Sequence, residues 1–238
     1  MAVSTTCKKN GCEGCYIETT CNDGIQNGDE TGIDCGCSCL EITGDPCGPW
    51  KGIAKVFVNS FCNDDASDMF FINSSTGILI GYDPFDGGKI FKTTDSGYNW
   101  SEKSSNTTNE LHSVYFPSSN IGYIVGNNKT ILKSTNGGDS WSVITLNLTN
   151  VPGTFEYDFL DVFFIDDNTG FICYNGDDIL KSTDGGSSWE RIIIDPNIGS
   201  FVKGRKILFV DDSIGFSLFG QSLYKTSDGG SNWSRVIN

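Results

Sequence analysis

Positive charge is scarce in this sequence. Its 238 residues hold 16 lysines and arginines against 30 aspartates and glutamates, a formal net charge of −14. A nucleic-acid partner needs a basic face to neutralise phosphates, and an anionic membrane surface attracts polybasic segments. Neither class fits. Long apolar runs are missing as well: none approaches the roughly 20 residues of a membrane span, so insertion into a membrane is not expected. The opening Met1-Ala2-Val3-Ser4-Thr5-Thr6 has no hydrophobic signal core. The only histidine, His112, precedes a predicted first strand and has no Cys or Ser partner at a recognisable spacing, so a nucleophilic triad has no support.

What the sequence has instead is one stretch that occurs four times. Its cleanest copy is Ile179-Leu180-Lys181-Ser182-Thr183-Asp184-Gly185-Gly186-Ser187-Ser188-Trp189. The others end at Trp100, Trp141 and Trp233, so the steps between tryptophans are 41, 48 and 44 residues. A fixed period in this range marks a repeat architecture. Each copy reads as four short strands with tight turns. In the third these are Val162–Ile165, Phe171–Tyr174, a strand from Ile179, and one from Trp189. A glycine opens the second strand every time: Gly77, Gly122, Gly170 and Gly215. A lone four-stranded meander cannot bury both faces; stacked side by side as propeller blades, several can. The fold class expected is therefore all-β, a propeller of four-stranded antiparallel blades over residues 48–238.

Within the stretch, Asp95, Asp184 and Asp228 can accept hydrogen bonds from their own turns, and Trp100, Trp141, Trp189 and Trp233 anchor the hairpins between blades. Copy two has Asn136 at the aspartate position. A turn acceptor tolerates that exchange and a general acid does not, so these residues are expected to be structural.

Ser-Thr-Asp-Gly-Gly-x-x-Trp resembles the Asp-box, also called the bacterial neuraminidase repeat. The Phe-x-x-Asp-x-x-x-Gly-Phe pattern before it is most similar to propellers of the photosystem II assembly factor family. Similar boxes occur in sialidases, xyloglucanases and sortilin-type receptors. The resemblance covers about residues 67–238. It implies the fold, a box lying away from those families' functional sites, and, for the assembly factors, a partner protein bound on one face. A sialidase-like site would need three arginines on the central face, whereas Arg191 and Arg235 follow box tryptophans on outer strands.

Residues 1–47 are different material. They hold eight of the ten cysteines, Cys7, Cys12, Cys15, Cys21, Cys35, Cys37, Cys39 and Cys47, and eight acids against two lysines. So little apolar surface calls for covalent staples, and disulfides imply an oxidising setting, extracellular or at the cell surface. Eight cysteines allow 105 pairings. Zinc is the rival reading, because Cys12-x-x-Cys15 has ligand spacing. The run from Asn22 to Gly36 resembles a short Cys-rich module of bacterial cell-surface proteins. Its oxygen-rich, glycine-punctuated loop suits calcium, yet lacks the glutamate that an EF-hand places twelfth. No other cofactor is expected. Trp50-Lys51-Gly52-Ile53 reads as a stray outer strand ahead of four complete blades. Two arrangements satisfy the strands: a four-bladed ring, or part of a larger propeller. Cys173, at an apolar position of a second strand, is expected to be a buried thiol.

Loops joining second to third strands share one propeller face with the connections between blades. On that face Tyr82, Asp83, Phe85, Tyr157, Asp158, Tyr174 and Asp177 are the candidate ligand-binding residues, with Phe155 and Glu156 nearby. Aromatics beside carboxylates suit a carbohydrate or peptide surface. The function expected is a non-enzymatic interaction module for protein or glycan, with self-association open to it. The alternative is a glycoside hydrolase with a carboxylate pair drawn from Asp83, Asp86, Asp158, Asp161, Asp177 and Asp178.

Overall fold

Repetition of strand, glycine, strand and box gives repetition of sheet. The computed structural model describes residues 65–146, 148–149, 157–176, 178–195 and 203–237. The chain divides into two units, Met1–Cys62 and Asn63–Asn238, and the described residues all belong to the second. The eight cysteines of residues 1–47, the stray strand at Trp50, Phe155, Glu156 and Asp177 lie outside them.

Blade 1 is β1 (Asp65–Phe71), β2 (Gly77–Asp83), β3 (Gly87–Thr93) and β4 (Ser101–Lys103). Blade 2 is β5 (Leu111–Tyr115), β6 (Gly122–Gly126), β7 (Thr130–Ser134) and β8 (Ser142–Val143). Blade 3 contains β10 (Phe159–Phe164), β11 (Gly170–Tyr174), β12 (Asp178–Ser182) and β13 (Trp189–Ile193). Blade 4 is β14 (Gly204–Phe209), β15 (Gly215–Phe219), β16 (Ser222–Thr226) and β17 (Ser234–Ile237). Each of these is an antiparallel meander in chain order, as expected. Blade 3 departs from the expectation: β9 (Leu148–Thr149) adds a fifth strand, parallel to β13, with Trp189 opposite Leu148. Outer strands keep a free edge, and the 48-residue step supplies enough chain to fill it.

The cores lie between blades, not within them. One cluster joins Ile78, Ile80 and Ile90 of blade 1 to Val114, Phe116, Ile124 and Trp141 of blade 2. A second joins Tyr123, Val125 and Ile131 to Val162, Phe164 and Trp189. The third joins Phe171, Cys173 and Ile179 to Ile207, Phe209 and Tyr224. Cys173 is a buried free thiol 3.4 Å from Ser217 Oγ, and burial pushes its pKa up.

The glycine opening each second strand now has a cause. A Cβ on Gly122, Gly170 or Gly215 would come within 3.0 Å of the ring of Phe116, Phe164 or Phe209, the aromatic at or just after the end of the preceding strand. That phenylalanine lies flat on the glycine and meets the box tryptophan edge-on. The ring centroids are 6.2, 5.8, 6.0 and 5.9 Å apart for Phe71–Trp100, Phe116–Trp141, Phe164–Trp189 and Phe209–Trp233. Edge-to-face pairs contribute about 0.5–1.5 kcal/mol beyond their burial. Sequence and packing therefore repeat as one unit.

Candidate functional site

The box is a closed local network. In blade 3, Asp184 Oδ1 accepts from Ser182 Oγ (2.9 Å) and the Ser188 N–H (2.9 Å), and Oδ2 from Ser188 Oγ (2.6 Å). Asp95 and Asp228 accept equivalent bonds from Thr93 and Asn99, and from Thr226 and Asn232. Gly185 and Gly186 hold φ of 67° and 79°, the left-handed region the turn requires. The donors around each carboxylate lower its pKa, to about 2 at Asp228. In blade 2, Asn136 Oδ1 accepts from Ser134 and the Ser140 N–H, and its amide donates to Ser140 Oγ. Asparagine thus fills the aspartate's role by reversing one hydroxyl. The indole N–H of Trp100, Trp189 and Trp233 donates to the carbonyl three residues earlier. Trp141 and Trp189 are buried, while Trp100 and Trp233 are only partly so.

Blades are joined at two levels. At the outer level, a third-strand lysine reaches the next box: Lys92 pairs with Asp139 (2.9 Å), Lys133 donates to the Gly185 carbonyl (2.8 Å), and Lys181 to that of Gly229 (2.8 Å). At the inner level every first strand carries a β-bulge, at Ser67, His112, Leu160 and Arg205. The residue after the bulge caps the next blade: Asp68 accepts from the Val114 N–H (2.9 Å), Ser113 from Val162 (3.4 Å), and Asp161 from Ile207 (2.7 Å). Ser113 Oγ also donates to Asp161 (3.0 Å), and Lys206 pairs with Asp161 at 2.7 Å. Burial pushes the Asp161 carboxyl up, against the pull of Lys206 and its hydrogen bonds.

The expected ligand-binding residues fall into two groups. Asp83 is fully buried; one oxygen caps the N–H groups of Phe85 and Asp86, and the other has no partner. Phe85 beside it is 80% exposed, and Tyr82 is half-buried in β2. The second group lies at the seam of blades 2 and 3. Tyr157 meets Tyr174 edge-on (4.9 Å), and Tyr174 is buried. Asp158 accepts from the Asn128 N–H (3.2 Å) and from Asn175 Nδ2 (3.1 Å). Asp178 stands one residue ahead of the strand start expected at Ile179; it begins β12, buried, and pairs with Arg191 across to β13. Every described carboxylate proposed for a hydrolytic pair has internal partners: Asp83, Asp158, Asp161 and Asp178 as above, and Asp86 with Lys89. Of the arginines, Arg191 and Arg235 do lie on outer strands, Arg235 donating to Ser222.

At the same seam are residues that sequence reasoning missed. His112 does not precede β5 but is its bulge residue. Its Nε2 donates to Asn127 Oδ1 (2.6 Å), and Asn127 Nδ2 donates to Glu110 Oε2 (3.2 Å). The hairpin after β6 turns through Asn128 and Lys129, at φ 54° and 60°. Such a turn favours glycine, above all at its second position, and a lysine there is strained. The Lys129 N–H donates to the Tyr157 carbonyl (2.8 Å), and its ammonium lies 5.4 Å from the Tyr157 ring centroid. The missing signal was present: in Gly126-Asn127-Asn128-Lys129 a lysine follows Asn128 in the tight turn between two strands, where glycine is favoured. Among the described residues, no group of three or more His, Cys, Asp or Glu could hold a metal ion.

Comparison with known proteins agrees with this geometry. The family profile described as photosynthesis system II assembly factor YCF48 matches residues 49–158. No curated protein matches the chain. Among solved structures, YCF48 from Cyanidioschyzon merolae is similar over 74% of this chain and 56% of its own, at 18% identity and a TM-score of 0.57. A GH74 enzyme from Niastella koreensis is similar over 72% of this chain and 30% of its own, at 19% identity and a TM-score of 0.58. YCF48 bound to D1 peptide is also similar, at 18% identity, covering 72% of this chain and 80% of that one, with a TM-score of 0.44. The chain thus spans about half of the Cyanidioschyzon protein and under a third of the GH74 enzyme. It is built of Asp-box propeller blades that resemble those of the photosystem II assembly factor.

Proposed function

We propose that the chain is a non-catalytic binding module that holds an extended segment of a partner protein at the seam of blades 2 and 3. The observation that carries this reading is Lys129, kept at φ 60° where glycine would be unstrained. Strain of this kind persists where surrounding structure enforces it, and it concentrates at binding sites. Around it, with Lys129 itself as the cation, stand Glu110, His112, Asn127 and Tyr157, which offer donors, acceptors and an aromatic face, while Asp158 holds the turn through the Asn128 N–H. That mixture suits a peptide backbone with polar side chains. The match of residues 49–158 to an assembly factor profile supports a partner that is itself a protein. The commitment of the described carboxylates to internal partners favours binding over glycoside hydrolysis. An extracellular or cell-surface setting is part of the proposal, and rests on the eight cysteines of residues 1–47.

A display library of random peptides, panned on the intact chain beside a glycan panel, tests the reading. Enriched peptides should protect the amides of residues 109–112 and 127–129 from hydrogen exchange. Protection confined to another surface, or binding of glycans alone, would overturn it.

A further inference from the structure

The three interfaces between blades share one rule, and the chain holds both halves of a fourth interface unjoined. In each pair, the earlier blade presents the residue after its second-strand glycine, and the later blade presents the phenylalanine at or just after the end of its first strand; between blades 1 and 2 these are Ile78 and Phe116, and in the other two both are rings. Tyr123 stacks on Phe164 with centroids 3.7 Å apart and planes 7° from parallel. Phe171 stacks on Phe209 at 4.5 Å and 24°. A lysine beside the first ring, Lys133 or Lys181, crosses to the box carbonyl of the later blade. It also lies over that ring, at 5.2 and 5.5 Å.

Blade 4 keeps this equipment. Phe216 follows Gly215, and Lys225 lies 5.8 Å from its centroid. Leu218 occupies the position of Val125 and Cys173, both fully buried, but is 43% exposed. Leu208, at the position of Phe163, is 41% exposed. The Lys225 ammonium has no hydrogen-bond or ion-pair partner among the described residues. Blade 1 keeps the complement. Phe71, at the position of Phe164 and Phe209, is 40% exposed, and Met69, at the position of Val162 and Ile207, is 44% exposed. Ser96 replaces the box glycine that offers its carbonyl, and holds φ 67° as Gly185 and Gly229 do. No hydrogen bond, ion pair or ring contact joins blade 4 to blade 1 among the described residues; the one link is the electrostatic pull of Asp68 on Lys206 at the inner level.

We propose that blade 4 of one copy docks onto blade 1 of a second copy, with Phe216 stacked on Phe71 and Lys225 donating to the Ser96 carbonyl. The occupant is a second copy because the same chain carries the matching face, and the contact continues a ring stack and lysine-to-carbonyl bond already made twice, between blades 2 and 3 and between blades 3 and 4. Such head-to-tail contact uses two different patches, so it builds closed rings or open filaments. The inner clasp does not continue across it: Lys206 stands where Asp68, Ser113 and Asp161 accept, and it turns back to Asp161. Each copy carries a net charge of −14, so the association should strengthen as salt screens the repulsion.

Sedimentation velocity of the full chain over a concentration series, at low and moderate salt, is the first measurement. Self-association rising with salt is expected. Leu218→Glu changes an exposed side chain and should abolish it without altering the circular dichroism spectrum. A photo-crosslinking amino acid at position 218, in a mixture of isotopically light and heavy chains, should join to residues 69–71 or 96–100 of the other copy. A monomer at every concentration, association that survives Leu218→Glu, or crosslinks within one chain or to other residues would overturn the proposal.

Discussion

Alanine at two equivalent glycines should have unequal consequences. Gly170 and Gly77 both open second strands under a phenylalanine ring. At Gly170 the new methyl would lie inside 3.0 Å of Phe164. That ring is fully buried and cannot yield, because Tyr123 stacks on one face and Trp189 closes its edge. Overpacking of a fixed core costs about 1–3 kcal/mol. Replacing glycine by alanine in a strand returns roughly 0.5–1 kcal/mol of backbone entropy. Gly170→Ala should therefore lose about 1–2 kcal/mol. At Gly77 the ring of Phe71 lies at 3.0 Å but in the single chain, at low concentration and low salt, is 40% exposed and can swing into water. The two effects then cancel, and Gly77→Ala should change stability by less than about 0.5 kcal/mol. Urea unfolding of both variants, with unchanged m-values, measures the difference. Stacked repeats can unfold stepwise, so hydrogen exchange of the β10 and β11 amides should accompany it. Equal effects, or a Gly170→Ala chain as stable as the parent, would refute the ring-on-glycine account.

Three further outcomes are expected. The box carboxylates have pKa values below the ordinary 3.8, about 2 at Asp228, so their bonds stabilise the fold above that ordinary value. This stability should be lost as pH falls from about 4 towards 2; acid titration monitored by fluorescence checks it, and Asp184→Asn should blunt the loss at little cost at pH 7, as Asn136 already does. Asp161→Ala leaves the Ile207 N–H and Ser113 hydroxyl without their buried acceptor, at a cost of about 1–3 kcal/mol; Lys206, whose side chain is 56% exposed, can turn to water, so adding Lys206→Ala should cost little more by chemical denaturation. Cys173 should resist alkylation until the chain is unfolded, while Cys7, Cys12, Cys15, Cys21, Cys35, Cys37, Cys39 and Cys47 form disulfides; intact mass eight hydrogens below the reduced value supports this, and a reduced chain with bound zinc contradicts it.

Much of the blade was legible in the sequence, because each blade solves the same packing problem with the same residues. The box, its tryptophan and its turn-capping aspartate could be read from spacing, and Asn136 already argued that the carboxylate was structural. The parallel strand β9 could not be read: Leu148 and Thr149 carry no periodicity, and only the free edge of β13 recruits them. The bulges were also hidden, since one extra residue per first strand shifts register without changing composition. That shift moved His112 from a loop into the seam and made Asp161 a buried inter-blade cap. Asp83 and Tyr174 illustrate the same limit. Both stand in loop-flanking positions by sequence, yet the turn and the neighbouring blade bury them.

The claim that the seam of blades 2 and 3 is the binding site is tested most directly by Lys129→Gly. Glycine accepts φ 60° without strain, so the hairpin should be kept and stability held or raised by about 1 kcal/mol. Affinity for a peptide selected on the parent chain, measured by calorimetry, should fall at least tenfold, because the ammonium over Tyr157 is gone. Unchanged affinity in a chain of undiminished stability would contradict the account.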